Sequence, residues 1–149
     1  MKKPFLVLSA LVGLLGLLVP RAARAQVDAI IEADIPFAFH AGEAQMPPGR
    51  YRLYSPEDAY GRVMEIRSVE GSQAALLEVF GTQARNPASD SELVFHKYGD
   101  NYFLWRIVES GSVTGDQVPV SRSERSLRQE LSIGERQAEA RVPARSRAS

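Results

Sequence analysis

The sequence predicts a small all-β domain, either an antiparallel sandwich or a partly open barrel, with one C-terminal α-helix. Apolar and polar residues alternate from Val27 to Phe39, as in a strand with one buried face. Further short apolar runs are separated by segments rich in Gly, Pro, Asn and Asp, which is typical of sandwiches and barrels. The one clear helical pattern begins at Ser121, so long helices do not alternate with the strands.

Residues 1–25 have the organisation of a secretory signal peptide. A pair of lysines precedes an apolar run over residues 5–19, and the segment ends in Ala-Arg-Ala. The alternative is a membrane anchor, but the run is shorter than the roughly 20 residues that span a bilayer. We therefore expect cleavage before Gln26, export to the periplasm or the extracellular space, and no membrane span in the mature protein.

Composition limits the function of the mature protein. Removing residues 1–25 from the 149-residue chain leaves 124 residues, enough for one domain with a hydrophobic core. The removed segment contains four of the 18 basic residues and none of the 18 acidic ones, so the mature net charge is −4. A general nucleic-acid-binding protein carries a basic surplus, and we exclude that class. The chain has no cysteine, which rules out disulfides and thiolate chemistry.

The first strand is predicted over residues 27–39. Pro36 lacks an N–H donor, so this strand lies at a sheet edge, bends there or divides into two. Pro47-Pro48-Gly49 predicts a tight turn that opens a second strand over residues 50–54, because proline presets φ and glycine permits a positive φ. The remaining strands are predicted over residues 62–68, 74–80, 92–97 and 102–108.

The last two predicted strands form a hairpin. Gly99-Asp100 suits the two central positions of a type II′ turn, whose first position favours glycine. This turn predicts the pairs Lys97–Tyr102, His96–Phe103, Phe95–Leu104 and Val94–Trp105. One face is then expected to carry Leu93, Phe95, Tyr102, Leu104 and Val108, and the other Val94, His96, Phe103, Trp105 and Ile107. Both faces are largely apolar, so both should be covered.

A helix over residues about 121–132 is expected to cover the second face of this hairpin. Ser121-x-x-Glu124 is a capping box, and Leu127 and Leu131 lie four residues apart on one side. Residues 134–149 contain little to bury, and we expect them to be disordered. The chain thus divides into a signal peptide (1–25), a β domain with its helix (26–133) and a tail (134–149).

The two histidines are the candidates for catalysis. His96 should lie beside Phe103 and Trp105, where an imidazole serves as a general base or a metal ligand, or simply packs beside the core. His40 ends the first strand, where an exposed histidine is expected. A metal site needs at least three ligands, and His40, His96 and Glu43 supply them only if their strands are neighbours. The sequence contains no catalytic or metal motif, so we predict no metal site and no cofactor.

The aromatic residues of the hairpin are candidates for ligand binding. Trp105, Tyr98, Tyr102 and Phe103 could form a platform for a sugar ring or a flat apolar ligand. The alternative is that alternating aromatic residues fill a core. We therefore name His96, Trp105, Tyr98 and Phe103 as the candidate ligand-binding residues.

Several motifs are similar to those of a group of exported bacterial proteins. They are the strand Ile35 to Phe39, Gly42, the turn from Pro47 to Tyr51, the hairpin from Leu93 to Leu104, and Ser121 to Glu124. In these motifs, which cover most of the mature chain, the protein resembles uncharacterised exported proteins of bacteria. The resemblance implies a common fold and implies no activity or catalytic residue.

Two functions from different classes follow. The first is a non-enzymatic binding module of the cell envelope, with a protein, a glycan or a small apolar ligand held in a concavity beside the hairpin and helix. The second is a small hydrolase or metal-dependent enzyme that uses His96, with His40 as a second group. The enzyme requires a carboxylate, a hydroxyl or a second histidine within reach of His96, directly or through a water.

Overall fold

A computed structural model describes residues 31–55, 63–131 and 137–146. The predicted signal peptide and its cleavage site lie outside the described residues, as do positions 132–136 and 147–149 of the C-terminal region. The described residues form eleven β-strands and one helix. The predicted class, all-β with one helix near the C-terminus, is therefore confirmed.

The strands are short and follow one another closely. They are β1 (Ile31–Ile35), β2 (Phe39–Ala41), β3 (Ala44–Met46), β4 (Gly49–Tyr54), β5 (Val63–Ser68), β6 (Ala74–Glu78), β7 (Phe80–Gln83), β8 (Glu92–Tyr98), β9 (Asn101–Val108), β10 (Thr114–Gln117) and β11 (Ala138–Ser146). The helix, α1, spans Arg122–Glu130 and follows β10.

The strands form one sheet that curls into a nearly closed barrel. Along the hydrogen-bonded path the order is β3-β2-β9-β8-β11-β1-β4-β5-β6. β7 follows β6 after Val79 and pairs with β10, which pairs with β9, so the two ends of the sheet approach each other. The seam that is not sealed lies between β6 and β3, the two ends of the path. Of the predicted alternatives, sandwich or partly open barrel, the barrel is the one observed.

The predicted N-terminal strand divides at Pro36. β1 ends at Ile35 and pairs with β4, whereas β2 begins at Phe39 and pairs with β3 and β9. The alternation is nevertheless continuous in its burial, since Ile31, Ile35 and Phe39 are all buried. Proline cannot donate to a ladder, so the chain changes its partners at this point.

The hairpin register agrees with the prediction near the turn and departs from it further away. Gly99 has a φ of 58°, and Lys97–Tyr102, His96–Phe103 and Phe95–Leu104 are partners as expected. The predicted pair Val94–Trp105 is wrong, because a bulge between Val94 and Phe95 moves Val94 opposite Arg106. Trp105 is the extra residue of the bulge.

The bulge also exchanges two residues between the faces of β9. Ile107 pairs with Leu93 and is buried in the core, although it was predicted on the opposite face. Val108, predicted on the core face, pairs with Glu92 and is only partly buried. One extra residue reverses the alternation beyond it, since side chains alternate with period two.

The core fills the interior of the barrel. Its largest fully buried side chains come from both halves of the sheet: Tyr51, Phe39, Phe95, Ile31, Ile35, Met46, Leu53, Met64, Ile66, Leu77, Leu93 and Ile107. Phe39 packs edge-to-face against both Tyr51 and Phe95, with ring centroids 5.2 and 5.5 Å apart. Burial of this kind of surface is the main favourable term in folding.

The predicted disorder of residues 134–149 is wrong for residues 138–146, which form β11. This strand pairs with β8 from Ala138 to Pro143 and with β1 from Ala144 to Ser146, so it joins the two halves of the barrel. Val142 is its one buried side chain, and Arg141 forms an ion pair with Glu92. Because backbone hydrogen bonds hold this strand, its low apolar content does not prevent it from being ordered.

Candidate functional site

Three ionisable side chains meet between the hairpin and the helix. His96 Nδ1 lies 2.7 Å from Glu124 Oε1, and the Tyr98 hydroxyl donates to the same oxygen at 2.9 Å. All three residues are buried, with 5% of His96, 4% of Tyr98 and 3% of Glu124 exposed. The carboxylate therefore receives two hydrogen bonds in an environment from which water is largely removed.

The hairpin and the start of the helix position these groups. His96 and Tyr98 lie two residues apart on β8, so they share its outer face, the side that faces away from the barrel core. Ser121 caps the helix, since its hydroxyl accepts from the Glu124 N–H at 3.1 Å. The N-terminal half of the predicted capping box is thus confirmed, and the Glu124 side chain points to His96 instead of back to the cap.

Glu43, from the turn between β2 and β3, takes the place of Glu124 at the helix terminus. Its carboxylate accepts from the Arg122 N–H at 2.6 Å and from the Ser123 hydroxyl at 3.1 Å. The first of these contacts is the main reason that the pKa of Glu43 is lowered. Glu43, a candidate metal ligand from the sequence, instead lies at the positive end of a helix dipole.

The helix packs on the hairpin as expected, but a different residue makes the central contact. Leu127 and Leu131, the predicted contact stripe, are only half-buried. Glu124 is the one buried residue of α1. The sequence motif assigned Glu124 to local capping, and only its long-range contacts with β8 reveal its second role.

The four candidate ligand-binding residues lie together on this outer face. His96 stacks on Trp105 with ring centroids 4.5 Å apart, and Tyr98 meets Phe103 edge-to-face at 6.0 Å. The Arg106 guanidinium lies 4.0 Å from the centre of the Trp105 rings. Phe103, Tyr98 and His96 are buried and Trp105 is half-buried, so most of the expected platform is covered.

His40 joins this face through Phe103, against which its ring stacks at 4.5 Å. The expectation of an exposed histidine is wrong, since His40 is half-buried. Its Nδ1 is buried and has no hydrogen-bond partner among the described residues. His40 and His96 are both neighbours of Phe103, on β2 and β8 respectively, and neither contacts the other through a hydrogen bond in the described part of the chain.

Burial and Glu124 together hold Tyr98 in its neutral form. Burial is the larger cause, followed by the hydrogen bond to the carboxylate and its charge, and they raise the pKa of Tyr98 to about 12 from its ordinary value of 10.0. Because the pKa of Tyr98 is higher in the folded protein than its ordinary value, the protonated phenol favours the folded state. This contribution to the free energy of unfolding is complete below pH 10.0 and is lost as the pH rises to about 12.

We expect this loss to be absent from Tyr98→Phe, which has no phenol. Between pH 10 and 12 the free energy of unfolding of the wild type should fall more steeply than that of the variant, because only the wild type carries the shifted phenol. Urea unfolding curves measured at several pH values in this range test it. Parallel pH dependences for the two proteins would contradict the shift.

Two clefts with described linings lie elsewhere, on either side of β11, and a third, of about 320 Å³, lies on α1 beside Arg125, Arg128 and Gln129. One, of about 400 Å³, is lined by charged residues that include Asp34, Arg50 and Arg145. Another, of about 470 Å³, is lined by both polar and apolar residues that include Ser91, Ser110 and Pro143. Within the described ranges, no group of three His, Cys, Asp or Glu side chains is placed to hold a metal ion. The same ranges contain no helix with the length and apolarity needed to cross a membrane.

Large exposed apolar side chains occur on β6 and β7. Leu76 is 72% exposed and Phe80 is 55% exposed, and both point away from the core. We call Ala74, Leu76, Glu78 and Phe80, which share this outward direction, the β6–β7 strip. The sequence pattern predicts a strand over residues 74–80 and does not mark these residues as a site, since burial of alternate residues says nothing about what the other face contacts.

Comparison with protein-family models, with curated proteins and with solved structures gives no match to this chain. The fold and the two sites just described are therefore the basis for a functional proposal.

Proposed function

We propose that the mature protein is an exported, non-enzymatic interaction module of the cell envelope, and that it binds a protein partner through the β6–β7 strip. The observation that carries the proposal is the exposure of Leu76 and Phe80 on one strip beside the barrel seam, which no described strand seals. Large apolar side chains grouped on a surface are typical of binding sites.

The buried environment of the His96 side chain supports a non-enzymatic role. Its Nδ1 is occupied by Glu124, its ring is covered by Trp105, and only 5% of the residue is exposed. A binding cleft normally buries its ligand in a concave space. The described clefts lie along β11 and on α1, and His96 does not line them.

Site-specific photo-crosslinking tests the proposal. A photoreactive residue is placed at position 76, 80 or 113 of the full chain in an exporting host, and crosslinked species are sought in the envelope fraction. We expect them at positions 76 and 80 and not at Val113, which is 38% exposed and lies outside the strip. Equal crosslinking at all three positions, or none at 76 and 80, would overturn the proposal.

A second candidate, a small hydrolase or metal-dependent enzyme, is favoured by the His96–Glu124 contact. A carboxylate that orients one imidazole nitrogen leaves the other to act as a base. This function predicts hydrolysis of ester or amide substrates by the purified protein, with or without added divalent metal, and loss of that activity in His96→Gln. A fully active His96→Gln variant would exclude it.

A further inference from the structure

The positive charge of the mature chain is concentrated at its C-terminal end. The 29 residues from Ser121 to Ser149 contain seven of its 14 basic residues and four of its 18 acidic residues, a local charge of +3. Residues 26–120 contain the other seven basic residues and 14 acidic ones, so their charge is −7. A charge asymmetry of this kind within one chain is a sequence signal for contact with an anionic partner such as a membrane.

Three of these basic residues lie on the outer face of α1. Arg122, Arg125 and Arg128 are exposed and follow one another at intervals of three residues, so they lie within one arc of about 120° on a helix with about 3.6 residues per turn. Gln129 is also exposed and lies within this arc, whereas Glu130 lies outside it. We call Arg122, Arg125, Arg128 and Gln129 the basic face of α1.

Two acidic side chains at the start of α1 are engaged away from this face. Glu124 is buried and turned toward β8, where it contacts the hairpin. Glu43 accepts from the Arg122 N–H at 2.6 Å and balances part of the Arg122 charge. Arg125 and Arg128 form no ion pair with a described residue. These two residues therefore carry most of the unbalanced positive charge of the basic face.

Arg125 and Arg128 share an open cleft with Gln129. The cleft has a volume of about 320 Å³, and its described lining consists of these three side chains, all of which carry N–H donors. One N–H of the Arg125 guanidinium donates to the Val120 carbonyl at 2.9 Å, which orients the group and leaves its other donors available. Guanidinium groups match the oxygens of a phosphate in both charge and geometry.

We propose that the basic face of α1 binds the phosphate groups of anionic phospholipids at a membrane surface. Its three arginines extend over about 9 Å of the helix axis, which suits several neighbouring headgroups better than one phosphate ion. The negative charge of residues 26–120 is repelled by the same surface, so the protein is oriented with α1 toward the membrane. The inference concerns residues outside the β6–β7 strip and does not depend on the protein partner proposed there.

Co-sedimentation of the mature protein with lipid vesicles tests the inference. We expect binding at low salt to vesicles of equal parts phosphatidylglycerol and phosphatidylcholine, and none to phosphatidylcholine alone. Arg125→Gln combined with Arg128→Gln should lower the ratio of bound to free protein about 25-fold, since each charge contributes about fivefold. High salt should release the wild type, because exposed charges are screened. A wild type that binds both kinds of vesicle equally, or neither, would overturn the inference.

A second double variant separates the basic face from the net charge. Arg50→Gln combined with Arg67→Gln changes the net charge by the same amount, and these side chains are 60% and 53% exposed. They lie on β4 and β5, outside the hairpin that α1 covers. All four arginines are exposed, so we expect both double variants to remain folded, which circular dichroism checks. The inference requires the second variant to bind nearly as well as the wild type, and an equal loss in both variants contradicts it.

Inorganic phosphate distinguishes a membrane surface from a single phosphate ion. At equal ionic strength, phosphate and chloride salts should release the wild type from anionic vesicles to the same extent, because both act by screening. Release by phosphate under conditions where chloride has no effect would show that the cleft binds one free ion. That result would overturn the assignment to phospholipids.

A fluorescent label reports which face approaches the membrane. Because the chain has no native cysteine, Gln129→Cys on α1 and Gln83→Cys on β7 each accept a single polarity-sensitive dye. Both positions are exposed. We expect anionic vesicles to change the emission of the dye at position 129 and not at position 83, and an equal or larger change at position 83 would overturn the inference. Photo-crosslinking at positions 76 and 80 tests the proposed function separately from these experiments.

Discussion

A chain that ends at Leu131 should fail to fold cooperatively. Without β11 the edges of β8 and β1 lose their shared partner, and the barrel is open between its two halves. Val142 no longer covers the core next to Leu93, its partner in the ladder. Domains are stable by only about 5–15 kcal/mol, so the loss of a central strand is expected to exceed what remains. Circular dichroism and urea unfolding of the truncated mature protein measure the effect.

Two point variants test whether β11 stabilises the domain in a chain of full length. Val142→Asp places a charge at a buried position and should lower the free energy of unfolding by about 3 kcal/mol or more. Ala138→Asp is the control, because Ala138 is exposed in the same strand. If the truncated chain unfolds with wild-type cooperativity, or if both variants are as stable as the wild type, β11 is not part of the folded domain.

Replacement of Glu124 by alanine should destabilise the protein by about 3 kcal/mol, because removing one member of a buried polar pair leaves the other members without partners. His96 and Tyr98 are both buried and both bond to the same oxygen of Glu124. We expect a smaller loss in Glu124→Gln, whose amide oxygen accepts one of the two hydrogen bonds. Urea unfolding of the variants at neutral pH provides the measurement.

Glu130→Ala is the matched control for this prediction. Glu130 is in the last turn of the same helix and is exposed, so its loss should change the free energy of unfolding by less than about 0.5 kcal/mol. A Glu124→Ala variant as stable as Glu130→Ala would show that the buried contacts do not hold the helix on the hairpin. The structural account of His96 would then fail.

The hairpin shows where local sequence information is sufficient and where it ends. Gly99-Asp100 sets the register of the nearest three pairs, and these agree with the structure. The bulge at Val94 and Phe95 lies next to the part of β9 that pairs with β10, where Ile107 pairs with Asp116. No residue type in the turn reports that constraint, so the assignments of Ile107 and Val108 were exchanged.

The site was predicted in part, for a related reason. His96, Tyr98, Phe103 and Trp105 alternate on two strands joined by a tight turn, so their proximity follows from the register. Glu124 lies 28 positions from His96 along the chain, and its motif has a sufficient local explanation at the start of a helix. Its burial could not be anticipated, because the contact depends on how the helix docks.

The sequence alone was enough to predict the all-β class, an edge position, bend or division of the first strand at Pro36, the helix start at Ser121 and the turn at Gly99, because each depends on a few neighbouring residues and on the backbone freedom of proline and glycine. Only the tertiary structure decided the closing of the sheet by β11, the contact of Glu124 with His96 and the exposure of Leu76. Each of these depends on groups far apart in sequence, and backbone hydrogen bonds between strands leave little trace in the pattern of side chains.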